Sequence, residues 1–251
     1  MTILIFVLVG SIAQLVDGAL GMGFGLTSST LLITLGASAV VTSAAVHVAE
    51  IGTTLASGIA HWRRDNVDKK ILLWLAIPGG IGAFSGATFL ASLSLERGKV
   101  FISTILLILG FLLLFRNIFF GQGTLFPNAQ INSRYIKFLG FSGGFVDAAG
   151  GGGWGPVVTP TLLVSTQTEP RKVIGTVSAA EFVVALSATA GFALQLSRLD
   201  VDWEVIAGLA IGGVLMAPVA ALLVSKLPRK PLGIAISIAI IVINGYRLVI
   251  G

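Results

Sequence analysis

The sequence predicts an all-α integral membrane protein made of two inverted repeats, each a glycine-broken helical hairpin followed by three transmembrane helices. Three observations carry this expectation. Of the 251 residues, 55% are hydrophobic and only 11% are charged, where a soluble domain carries about 25% charged residues. That leaves too little polar side chain to cover a water-facing globule, so most of the surface must meet lipid. Two glycine-rich runs, DGALGMGFG from Asp17 and DAAGGGGWG from Asp147, each interrupt an apolar stretch and each lead into Thr-Leu-Leu. The charges, finally, gather in short clusters between apolar runs.

Those clusters delimit six full spans, at 37–61, 71–93, 100–118, 173–196, 205–225 and 232–250. Each has about 19 to 25 residues, enough to cross ~30 Å of hydrocarbon at ~1.5 Å per residue. A polar stretch at 122–134, containing Pro127, links a first repeat (1–121) to a second (135–251). The remaining segments, 2–35 and 135–165, are too long for one straight span, and each is cut by its glycine run. The first twenty residues have the apolarity of a signal peptide. They have no Lys or Arg ahead of the apolar run and carry Asp17 near its end, so they read as a retained membrane segment.

Loop charge decides how the two broken segments sit. If each crosses once, the 16 Lys and Arg divide 9 to 7 between the two faces. If each folds back as a hairpin, they divide 12 to 4, with only Arg97, Lys99, Arg198 and Arg247 on the less basic face. The positive-inside rule selects the hairpins and places both termini outside the cytoplasm. Three full spans follow each hairpin, so the second repeat starts from the opposite face and the repeats are inverted. The duplication extends past the glycines. Glu50 in HVAEI matches Glu181 in SAAEF, Gly79-Gly80 match Gly212-Gly213, and Arg116 matches Arg247, at offsets of 130 to 133.

Broken helices at matching positions point to a binding site, because a helix that starts inside the membrane presents unpaired N–H groups and a partial positive charge. Gly21, Gly23 and Gly25 open one such half-helix, and Gly150 to Gly153 with Gly155 open the other. Thr27, Ser28, Ser29 and Thr159 add hydroxyl donors, and Trp154 is placed to line or gate the cavity. Pro156 suits a first helical turn, where no N–H is needed. The expected solute is a small anion held at Gly21, Gly23, Gly25, Thr27, Ser28, Gly151, Gly152, Gly153, Trp154, Gly155 and Thr159. The other glycine pairs read as packing surfaces.

Glu50 and Glu181 fall at the centres of their spans, where an ionised carboxylate costs several kcal/mol unless paired, solvated or protonated. They are candidates for proton coupling or substrate contact, with His47 one helical turn before Glu50. The alternative is an ordinary interhelical hydrogen bond. Asp17 and Asp147 precede the breaks and are expected to cap the second half-helices, with binding of a coupling cation as the other option.

Several classes are excluded. There is no cysteine, hence no disulfide or thiolate chemistry. The glycine runs lack a preceding strand and a following Gly-Lys-Ser/Thr, so they are not nucleotide loops. No metal-ligand motif, enzyme motif or nucleic-acid footprint is present. No cofactor is expected beyond a coupling H+ or Na+. The expected partners are the small anion and the lipid bilayer, with self-association into a homo-oligomer left open.

At DGALGMGFGLTSSTLL, DAAGGGGWGPVVTPTLL, HVAEI and SAAEF the chain resembles the sulfite exporter TauE/SafE family of membrane permeases, over essentially its whole length. The first copy departs from the second in having Leu20 and Met22 where the second has glycines. The resemblance implies a secondary transporter, expected to export sulfite or organosulfonates by alternating access across a bacterial-type inner membrane. An anion or small-solute channel and a non-transporting accessory subunit are the competing expectations.

Overall fold

The computed structural model describes residues 3–20, 22–119, 132–165, 168–194, 203–223 and 229–250. Among them are ten helices and no strand. Gly21, most of the 122–134 linker, and the charged stretch at 198–202 lie outside the described residues.

The first half contains α1 (Ile3–Leu20), α2 (Phe24–Thr34), α3 (Ala39–Trp62), α4 (Lys69–Ser92) and α5 (Leu95–Phe119). The second contains α6 (Ser133–Gly150), α7 (Trp154–Ser165), α8 (Pro170–Ala193), α9 (Trp203–Leu223) and α10 (Arg229–Ile250). Each half therefore runs long, short, long, long, long, with its glycine break before the short helix. Five of the helices are long and apolar enough to cross a membrane by length and composition. Helix α5 begins five residues before the predicted span. Its first turn, bearing Glu96 and Arg97, is helical but too polar to be read as hydrocarbon-spanning.

Local chemistry sets the ends. Ser38 caps α3 through Val41 N–H, and Asp68 caps α4 through the N–H groups of Lys70 and Ile71. Asn132 caps α6 through Arg134 N–H, and Pro170 opens α8 where its missing N–H costs nothing. Lys69 lies over Trp62 and Lys70 over Trp74, at 5.4 and 4.8 Å from the ring centroids. Amphipathic pairs of this kind suit a membrane–water boundary.

The halves interlock. Helix α4 packs most extensively on α6 and α1 on α9, while α3 packs on α8 and α5 on α10. Exchanging the two halves maps these four pairings onto themselves. Between lipid-solvated helices there is little hydrophobic drive, so close backbone approach has to supply the contact energy. Gly79, Gly82 and Gly86 share one face of α4. A side-chain carbon on Gly82 or Gly86 would collide with the backbone of Phe141 or Phe145 on α6. From the facing side, one on Gly140 or Gly144 would strike the backbone of Leu75 or Gly79. Gly10, Gly208 and Gly212 do the same where α1 meets α9. Two apolar cores result. The larger joins α2 to α8 and α10 around Trp154, Leu75 and Leu106, and the smaller joins α1, α2, α3 and α9 around Phe6, Leu32 and Leu209. Large apolar side chains left exposed, such as Leu73, Ile77, Phe111, Leu215 and Val242, point outward from the bundle.

Gly144→Val is expected to wedge α4 from α6 and destabilise the fold by about 1–3 kcal/mol, as read by thermal or denaturant unfolding in detergent. Gly245→Ala, where the added carbon meets only the Leu107 side chain at 3.8 Å, is expected to stay within about 0.5 kcal/mol of the parent.

Candidate functional site

The two glycine breaks meet each other at half depth. A side-chain carbon on Gly25 would stand 2.7 Å from Gly152 Cα and 3.0 Å from Glu50 Oε1. One on Gly155 would stand 2.8 Å from Met22 Cβ. The second break packs on Ile102, Ile105 and Leu109, midway along α5. Glu50 and Glu181 likewise sit midway along α3 and α8. The turns themselves demand glycine: Gly23 has φ 114, Gly151 φ 71 and Gly152 φ 142, a region that side chains make costly.

An aspartate holds each break. Asp147 Oδ1 accepts from the N–H groups of Gly153 and Trp154 at 2.7 and 2.8 Å, across the start of α7. Asp17 Oδ1 accepts from Phe24 N–H at 3.3 Å, at the start of α2. All three are contacts of a carboxyl oxygen to a helix N-terminus. The breaks are also tied to their surroundings. Ser29 Oγ donates to the Gly151 carbonyl, and Ser43 Oγ donates to the Ala148 carbonyl at 2.6 Å. His47 completes this packed side, with Nδ1 2.7 Å from the Ser43 carbonyl and Nε2 3.1 Å from Asp147 Oδ2.

The other side of the breaks is hollow. A cavity of about 610 Å³, of a size that suits a small ligand, is lined by Asp17, Glu50, Glu181, Gly155 and Thr159 at its inner end. It follows the C-terminal half of α3 past Thr53, Thr54 and Ser57 to His61, about 16 Å at the helical rise. Ser178 faces it from α8 and shares a 2.7 Å hydrogen bond with Ser57. One backbone donor of α7 is left for this space. Asp147 takes the N–H of Trp154, Pro156 has none, and Val157 N–H bonds the Gly153 carbonyl, which leaves Gly155.

The sequence-nominated residues therefore divide. Asp17, Glu50, Glu181, Gly155 and Thr159 line the cavity. Gly23, Gly25, Gly151, Gly152 and Gly153 form the crossing of the two breaks behind it. Ser28 is buried and returns its hydroxyl to the Phe24 carbonyl at 2.5 Å, while the buried Thr27 Oγ1 has no hydrogen-bond partner. Trp154 is fully buried away from the cavity, its indole N–H donating to the Val177 carbonyl and its ring lying against Gly79 and Gly143. His47 and Asp147 join on the packed side. Thr53, Thr54, Ser57 and Ser178 were not singled out in the sequence. Their signal is an i, i+3, i+4, i+7 row beginning at Glu50, with Ser178 one turn before Glu181, which is legible only once those faces are known to meet.

Paired intramembrane helix breaks with a polar cavity ending between them define a polytopic membrane transporter. The comparisons name the family: the chain matches the sulfite exporter TauE/SafE family over residues 6–247, and it belongs to that family. It is 44% identical over 248 residues to the "Probable membrane transporter protein YtnM" of Bacillus subtilis (strain 168), covering 98% of this chain and 83% of that one. No solved structure matches it.

The unequal caps give a test. Asp147→Ala removes two short buried bonds and the partner of His47, so it is expected to destabilise the protein by about 2 kcal/mol or more, whereas Asp17→Ala, losing one longer bond, is expected to cost about 1 kcal/mol or less. Thermal unfolding of the two purified variants side by side reads the order, and an inverted order would show that these aspartates do not hold the breaks.

Proposed function

We propose that this transporter exports a small anion, sulfite or an organosulfonate, across a bacterial-type inner membrane by alternating access. The observation that carries the reading is the one-sided cavity. It ends at the crossed breaks at mid-depth and runs toward the His61 end of α3, while the opposite side is closed by the Ser29–Gly151, Ser43–Ala148 and His47–Asp147 contacts. A carrier caught open to one face has this form, and the reciprocal pairing of the halves supplies the second state by exchanging their roles. The anion would be met by Gly155 N–H and the hydroxyls of Thr159, Thr53 and Ser178.

Asp17, Glu50 and Glu181 surround that place. An anion cannot settle among ionised carboxylates unless positive charge arrives with it. Asp17 and Glu181, on the cavity wall, are the groups placed to carry a coupling H+ or Na+, and Glu50 contacts the solute between the breaks. With the repeats inverted, the face bearing Arg63, Arg64, Lys69 and Lys70 is cytoplasmic by the charge rule. The cavity then opens inward, where an exporter loads, and both termini lie outside.

Two experiments test this. In proteoliposomes, radiolabelled sulfite flux is expected to saturate, and the Glu50→Gln/Glu181→Gln pair is expected to slow it by at least about tenfold. Wild-type flux in the double variant, or an unsaturable ohmic current, would end the carrier reading. For orientation, the absence of cysteine lets a single introduced thiol report alone. An impermeant maleimide added outside intact cells is expected to label Glu96→Cys and to spare Asp65→Cys, and the reverse pattern would invert the topology.

A further inference from the structure

The packed side of the breaks holds three acceptors facing one another. His47 Nδ1 stands 2.7 Å from the Ser43 carbonyl oxygen. A carbonyl only accepts, so Nδ1 carries the hydrogen and Nε2 presents a lone pair. That lone pair faces Asp147 Oδ2 at 3.1 Å. Asp147's other oxygen accepts two backbone N–H groups. Two lone pairs at this separation require a cation between them. Glu50 adds a third acceptor. It is 3% exposed, and its Oε2 has no hydrogen-bond partner. One ligand atom from each of the three residues lies within 4.8 Å of the others. A single proton satisfies the His47–Asp147 pair and leaves Glu50 unmet. A divalent ion satisfies all three and cancels the two carboxylate charges.

We propose that His47, Glu50 and Asp147 form a site for one first-row divalent transition-metal ion. The imidazole selects Mn, Co or Zn over Mg and Ca, which prefer all-oxygen surroundings. The 3.1 Å His47–Asp147 separation fits one ion, since two ligands at about 2.1 Å and roughly a right angle stand about 3.0 Å apart, and Glu50 within 4.8 Å closes on the ion by a small side-chain adjustment. The supporting contacts are those a metal site needs. The Ser43 carbonyl fixes the histidine tautomer, and the Gly153 and Trp154 amides fix the aspartate. The site occurs once per chain, because the repeat counterpart of His47 is Ser178, which offers no nitrogen. The ion ties the middle of α3 to the second break and places positive charge behind Glu50, whose carboxylate also borders the cavity. The inference does not rest on the identity of the transported solute.

The test uses the full chain purified in detergent, stripped with EDTA and free of sulfite or sulfonate. Mn2+, Co2+ and Zn2+ are expected to raise the unfolding temperature where Mg2+ and Ca2+ do not, and Co2+ is expected to develop visible absorption bands saturating at one ion per chain. Glu50→Gln, which keeps the side chain's shape, is expected to weaken Co2+ binding by at least about tenfold. Glu181→Gln changes the same acidic neighbourhood without removing a ligand and is expected to bind as wild type does. The proposal is overturned if the wild type shows neither bands nor a stability shift. It is also overturned if Glu50→Gln binds normally, which puts the ion elsewhere, or if both variants weaken alike, which makes the cluster a diffuse attractor. Failure here leaves anion transport standing, and liposomes that move no sulfite leave the metal titration standing.

Discussion

The arrangement depends on two stretches of bare backbone pressing together inside the membrane. Gly25 and Gly152 approach so closely that neither tolerates a side chain. Peptide groups that leave a helix at this depth have no water to turn to, so each needs a partner supplied by the protein. Asp147 answers two of the orphan N–H groups with one oxygen, Asp17 answers another, and the Ser29 and Ser43 hydroxyls take carbonyls from the second break. Once these are met, the breaks are fixed points, and the rest of the bundle is organised around holding them together.

The same economy explains the helix pairing. In lipid, apolar side chains gain little by leaving their surroundings, so α4 and α6, and α1 and α9, associate through glycine-lined faces where backbones come into van der Waals contact. Helix α3 on α8 brings each half's central helix against its counterpart, and α5 on α10 does so for the last. This is why Glu50 and Glu181 come to border one cavity although 131 positions separate them. The cavity wall is thus built from both halves at once.

The two halves nevertheless differ. Around Asp147 the space is closed, with His47 occupying it and Glu50 buried against it. Around Asp17 the space is open, with Ser178 where the first half has histidine. A histidine fills volume and brings a basic nitrogen to a carboxylate. A serine does neither, and leaves room for water or solute. One exchange thus separates a packed side from an open one. The basic side chain that reaches this region is Arg116, which extends from the last turn of α5 to Met22 in the first break.

Class and element order were legible in the residues, because both follow from local composition. A run of 20 apolar residues is a span wherever it occurs, and a cluster of glycines at membrane depth breaks a helix whatever lies beside it. The matching offsets of Asp17 and Asp147, and of Glu50 and Glu181, are legible for the same reason. What surrounds each of those residues was not legible. Trp154, set inside a glycine run, reads as a cavity residue, but its indole finds the Val177 carbonyl and a slot opened by Gly79 and Gly143 on two other helices. His47 reads as one turn from Glu50 on its own helix, and only the fold brings Asp147 to its far nitrogen. Chain composition determines which segments enter the membrane and where they break. Which breaks touch, which carboxylates share a cavity, and which lone pairs face each other are long-range contacts, decided when glycine faces far apart in the chain pack together.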